Sequence, residues 1–141
     1  MRKLILSLTF LALVLMAFTA VACKEGPTTP TLPNSFQITE LSNLTYGDLY
    51  GDYRIICVYS NNTKDVGYVG GKIYYGDGQS EVLPDLPIFS NVTNRKLEVR
   101  PPTSFHKYPV AGTYTVQVDL TARFTNGSIS DTKKENFTIT K

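Results

Sequence analysis

From Thr113 to Phe124 the chain alternates with a period of two. Tyr114, Val116, Val118, Leu120, Ala122 and Phe124 fall on one face, and Thr113, Thr115, Gln117, Asp119, Thr121 and Arg123 on the other. Side chains of an extended strand point to opposite faces in turn, so this pattern predicts a half-buried antiparallel strand. A strand of that length needs a second layer over its apolar face, which predicts a sandwich of two sheets. The tight corner His106-Lys107-Tyr108-Pro109-Val110-Ala111-Gly112 leads into it.

The first 22 residues read as a signal peptide rather than as part of the fold. Arg2 and Lys3 precede an uncharged, mostly apolar run, and Thr19-Ala20-Val21-Ala22 supplies small residues just before Cys23. Leu4–Ala22 is 19 residues long, enough for an uncleaved anchor as the alternative. Ala20-Val21-Ala22-Cys23 resembles a bacterial lipobox, in which the cysteine carries the lipid, although Ala20 stands where Leu is preferred. The same residues satisfy ordinary A-x-A cleavage, which would leave Cys23 unmodified. Several acyl chains hold a protein at a membrane where one does not. Residues 23–34, with three prolines and no apolar periodicity, predict an extended Pro/Thr-rich tether.

Residues 35–141 are then one domain by length. Without Arg2 and Lys3 the 14 basic residues fall to 12, against 12 acidic. Zero net charge and no basic run exclude an electrostatic nucleic-acid binder. Two cysteines make no disulfide framework. Cys57 reads as a small buried hydrophobe, or as the partner of Cys23 in an oxidising compartment.

Ser35–Thr39 predicts a first strand and Asp52–Ser60 a second, with Ile55, Cys57 and Tyr59 inward and Arg54 and Ser60 outward. Gly70–Leu83 predicts a hairpin turning at Asp77-Gly78, a favoured type I′ pair. Lys96–Val99 predicts a short edge strand. Asn126-Gly127 predicts a second I′ turn, pairing Thr125 with Ser128, Val116 with Phe137 and Asp119 with Lys134. That register leaves Asp131, Lys133 and Glu135 opposite apolar residues. Either a bulge changes the phase, or the last strand is an edge with inward charges.

Two blocks resemble the PKD (polycystic kidney disease) domain family. Ile73-Tyr74-Tyr75-Gly76-Asp77-Gly78 is similar to its W-D-F-G-D-G block, with Ile73 and Tyr74 in place of Trp and Asp. His106-Lys107-Tyr108-Pro109-Val110-Ala111-Gly112-Thr113-Tyr114-Thr115-Val116 is similar to its H-T-Y-x-x-x-G-T-Y-T-V block. The resemblance implies an immunoglobulin-like β-sandwich used at cell surfaces for protein or carbohydrate contacts or as a spacer, without catalysis. The fold expectation is therefore all-β: a single PKD-type antiparallel sandwich behind a signal peptide and tether. Tyr114 follows Gly112 at the start of a strand, as a tyrosine corner does, and its hydroxyl should bond nearby backbone.

Few residues suggest chemistry. His106 is the only histidine, so no zinc spacing exists, and the family block makes it a buttress of the corner. Neither a serine elbow nor a phosphate loop is present, and no enzyme activity or cofactor is expected. Asp48 and Asp52, in the repeated Tyr-Gly-Asp, could hold calcium or cap turns. Asp77 should stabilise its own turn. Tyr46, Tyr50, Tyr53, Tyr74 and Tyr75 could form a stacking platform for sugar rings, or be ordinary strand residues. Asn43, Asn61, Asn91, Asn126 and Asn136 lie in N-x-[ST] sequons, which would carry glycans in a cell that glycosylates them. The expected function is a membrane-tethered module at the cell surface, making protein–protein contacts through a sheet face or edge. The alternatives are carbohydrate binding and service as an accessory subunit.

Overall fold

The computed structural model describes residues 32–45 and 47–141. The signal-like segment, Cys23, the tether up to residue 31 and Tyr46 lie outside the described residues. Leu32–Lys141 forms one compact unit. Its strands are β1 (Ser35–Asn43), β2 (Tyr50–Gly51), β3 (Tyr53–Asn61), β4 (Gly67–Tyr74), β5 (Ser80–Ile88), β6 (Val92–Val99), β7 (His106–Lys107), β8 (Gly112–Phe124) and β9 (Gly127–Ile139). No helix occurs among the described residues.

All pairings are antiparallel. One sheet has the order β1-β3-β6 and a second β5-β4-β8-β9, with β2 and β7 forming a short ribbon. The alternation that predicted strands also predicts the core. Ile55, Cys57 and Tyr59 of β3, Val69 and Ile73 of β4, and Val116, Val118, Leu120 and Ala122 of β8 all belong to one buried cluster. Ser60, expected outward, is buried where the β3–β6 register shifts, and its hydroxyl accepts the Asn94 N–H.

The β8–β9 hairpin keeps a two-residue loop but places it one residue earlier than the Asn-Gly pair predicted, which moves the register by two. Thr125 and Asn126 form the loop and Phe124 faces Gly127, so Tyr114 faces Phe137 and Val116 faces Glu135. Neither loop residue has a positive φ, and Gly127 alone does, at 146°. Glycine thus occupies the fourth position of the turn, where type I turns favour it. Asp119 consequently faces Thr132, whose hydroxyl donates to its carboxylate at 2.8 Å. A shift of two keeps every side chain on its face, so Asp131, Lys133 and Glu135 still point inward, opposite Leu120, Val118 and Val116. The pairing contains no bulge, and β9 is an edge. Asp131 is used there: its Oδ2 accepts the Ile38 N–H at 2.7 Å, where the β1 register shifts.

The β4–β5 connection, by contrast, is longer than the expected two-residue turn. Tyr74 pairs with Ser80, and the Tyr75 N–H donates to the Gln79 carbonyl at 3.0 Å. The positive φ values belong to Gly76 and Gly78, at 83° and 91°, not to Asp77. At Gly76 a Cβ would lie 2.6 Å from the Thr115 carbonyl oxygen, so close approach to β8 requires glycine there.

Candidate binding surfaces

The register divides the sandwich into two ends. At one lie Asn34, where the chain enters β1, the β3–β4 loop and the β8–β9 turn. Asn34 accepts from the Asn62 N–H and donates to Asn126, and Thr125 donates to Asp65. Here Asn61 is fully buried, its amide shared among Asp65, Ile88 and Thr63. Its sequon is therefore closed to a glycan in the folded domain.

The opposite end holds the polar residues that the sequence singled out. Asp77 Oδ1 accepts the Gln79 N–H at 2.9 Å, as a turn-stabilising aspartate should. Its Oδ2 meets His106 Nε2 at 2.8 Å. The imidazole stacks on Tyr75 with centroids 3.7 Å apart and planes 4° apart, and presents its edge to Tyr108. His106 thus ties the β4–β5 turn to the corner before β8. Burial opposes ionisation of Asp77, but the Gln79 amide and the His106 imidazole outweigh it and hold the carboxyl below its ordinary range.

Tyr108 is the fully buried residue of the corner. Its hydroxyl donates to the Tyr75 carbonyl at 3.2 Å and lies 2.5 Å from the Tyr53 hydroxyl. Tyr114 is half-buried, and its hydroxyl donates to the nearby Val110 carbonyl at 2.8 Å, closing the tyrosine corner. Burial pushes the Tyr53 phenol up to about 12 and raises Tyr75 and Tyr108 further. Glu81 accepts from the Tyr75 hydroxyl and from the Thr103 amide and hydroxyl, which hold its carboxyl low against the opposing effect of burial.

This geometry corrects the tyrosine platform. Tyr53 and Tyr75 are only 1% and 3% exposed and brace the core, so neither can stack on a ligand. Tyr50 and Tyr74 are exposed, at 37% and 38%. Tyr74 lies on the outer face of β4, under the Lys72 ammonium. Tyr50 lies on the β2–β7 ribbon and meets Phe105 edge-on, centroids 6.4 Å apart. Phe105, 54% exposed, escaped sequence reasoning because it is a single aromatic after Pro-Pro, with no periodicity around it. Tyr50, Phe105, Thr45, Gly47 and Asp48 line a depression of about 390 Å³. The two calcium candidates separate in role: Asp52 lies 3.5 Å from Arg100, while Asp48 belongs to the depression. Among the described residues no three His, Cys, Asp or Glu side chains gather as metal ligands.

The outer face of β5-β4-β8-β9 is the other broad surface. Tyr68, Lys72 and Tyr74 of β4 lie beside Val82 of β5, with Val82 facing Lys72, and the hydroxyl-rich faces of β8 and β9 continue it. Tyr68 and Val82 are exposed. The strand edges are blunted by four devices: Pro84 and Pro87 in β5, Arg95 and Lys96 in β6, Lys133 and Glu135 in β9, and Asp131 over the β1 amide. Compared with protein-family models, curated proteins and solved structures, the chain finds no match in any of the three.

Proposed function

We propose that the chain is an exported, membrane-tethered binding module of the immunoglobulin-like PKD type, making non-catalytic protein contacts at the cell surface. The strand order supports the fold type. Lettered as in immunoglobulin domains, β1-β3-β6 corresponds to A-B-E and β5-β4-β8-β9 to C′-C-F-G, with the tyrosine corner at the start of F. Asp77 and His106, one from each PKD-like block, bond to one another, which gives the two blocks a joint structural purpose. The polar groups buried at that end act as braces, which favours binding over catalysis.

The observation that carries the contact reading is the contrast between face and edges. Every sheet edge is protected against strand addition, whereas Tyr68, Tyr74 and Val82 leave apolar surface exposed on one flat face. Aromatic residues are enriched at interfaces, so the face is the better docking surface. A benzophenone probe placed at Val82 in the exported protein should capture a protein partner that the same probe at Thr103 does not. Tyr68→Ser should abolish the adduct. An adduct-free probe at Val82, or capture indifferent to Tyr68→Ser, would remove the reading. The tether is tested separately by the mass of the mature N-terminus, where an unmodified Cys23 would end the lipid-anchor part.

A further inference from the structure

We propose that the end of the sandwich opposite Asn34 carries a saccharide site built from Tyr50, Phe105, Asp48 and Thr45. It shares no residue with the protein-contact face and stands or falls independently of it. The two rings are steeply inclined, at 79°, and both remain exposed beside the depression of about 390 Å³. That volume is at the small end of ligand pockets, which run from about 300 to 1,000 Å³, and suits one or two sugar rings.

Polar groups share the site with the rings. Asp48 lines it with a carboxylate, an acceptor for two hydroxyls. Thr45 lines it too, and its Oγ1 is buried with no hydrogen-bond partner among the described residues. Buried polar atoms are seldom left unpaired, and a turn of the Thr45 side chain about χ1 would bring its Oγ1 to a ligand hydroxyl in the depression. A pyranose has one apolar C–H face and a girdle of hydroxyls, so it can satisfy an aromatic ring, a carboxylate and a hydroxyl together. An aliphatic side chain of a protein partner would cover the rings but leave Asp48 and Thr45 without partners.

The backbone points the same way. Gly47, Asp48 and Leu49 take successive φ values of 99°, 62° and 60°. Asp tolerates that region and Leu does not. The strain is held in place by the Leu49 N–H donating to Thr140 and the Leu49 carbonyl accepting from Tyr108, at 3.0 and 2.8 Å. Backbone strain fixed from both sides is characteristic of ligand clamps. Phe105 also borders a second depression, of about 530 Å³, shared with Gln79, Ser80 and Lys107. One ring thus stands between two hollows, which suits successive units of a polysaccharide.

The test is an amide-resolved NMR titration of the signal-free protein with methyl glycosides of glucose, galactose, mannose and N-acetylglucosamine and their β-linked disaccharides. At least one should shift the Gly47, Asp48, Tyr50 and Phe105 amides saturably, with the disaccharide tighter. Phe105→Ala and Tyr50→Ala should each weaken binding about tenfold, the size of one lost aromatic contact. Asp48→Asn, which keeps the left-handed backbone, should weaken it several-fold, while Tyr74→Ala should leave it unchanged. If no probe moves those amides, or if Phe105→Ala binds like the parent, the proposal is overturned. Shifts with a hydrophobic peptide but no sugar would also overturn it, in favour of a peptide site.

Discussion

Replacing Tyr108 with Phe removes one hydroxyl from the best-packed part of the molecule and keeps the ring, so no cavity is opened. A phenol has one proton. Tyr108 directs it to the Tyr75 carbonyl, so the short contact with Tyr53 must use the proton of Tyr53. Tyr108→Phe therefore leaves a buried donor on Tyr53 and a carbonyl on Tyr75 without this partner. Orphaning a buried polar group costs about 1–3 kcal/mol, and the two losses together should cost about 2–3 kcal/mol. Tyr53→Phe is milder: Tyr108 keeps its bond to Tyr75 and loses only a proton it accepts, which should cost about 1 kcal/mol. The double variant has no orphaned donor, so it should be no less stable than Tyr108→Phe alone. That coupling is the signature of a directed chain of hydrogen bonds. Urea unfolding followed by far-ultraviolet circular dichroism measures all three, with m unchanged. Equal single effects that add in the double variant would refute the assigned direction.

Acid should weaken the same region. Asp77 and Glu81 are held below their ordinary ranges in the folded protein, so their stabilisation is full above the unfolded carboxyl values, about 4. It is lost as pH falls through the lower folded values. Asp77→Asn should flatten the decline of the urea midpoint below pH 4, and an unchanged slope would count against the Asp77–His106 brace. Gly71→Ala places a Cβ 2.0 Å from the Asp119 carbonyl oxygen in the middle of the sheet, and should cost about 3 kcal/mol or leave the protein insoluble. Gly78→Asn, at a positive φ in open space, should cost under about 1 kcal/mol on the same denaturation assay. Cys57 is free and fully buried, with its thiol pushed up to about 12 by burial. In a Cys23→Ser background it should resist a disulfide exchange reagent until urea unfolds the chain; rapid native reaction would show the core to be open.

Much of the fold was legible in local pattern. Period-two alternation located β3 and β8 and assigned Ile55, Cys57, Tyr59, Val116 and Val118 to the interior, because burial on one face writes itself into every second residue. Turn chemistry was less reliable. Asn126-Gly127 and Asp77-Gly78 signal turns, but which residues form the loop depends on how the flanking strands settle: the first loop stays at two residues but sits one residue early, and the second is longer. Of the described members of the candidate platform, only Tyr50 and Tyr74 remain exposed. Tyrosine suits a half-buried strand and a buried hydroxyl network equally well, and nothing local separates Tyr50 from Tyr53.

By itself the sequence determined an all-β chain with antiparallel strands, a tyrosine corner and a β9 whose inward charges suit an edge. Those properties follow from side-chain alternation and from the φ preferences of glycine, which act within a few residues. Tertiary structure alone decided that His106 bonds to Asp77, that Tyr108 rather than Tyr114 fills the corner, that Asp131 caps β1, and that Tyr50 meets Phe105. Each joins residues 29 to 93 positions apart, or tyrosines of one type in two environments. Such pairings have no periodicity to betray them; they exist only once two sheets close on a common core.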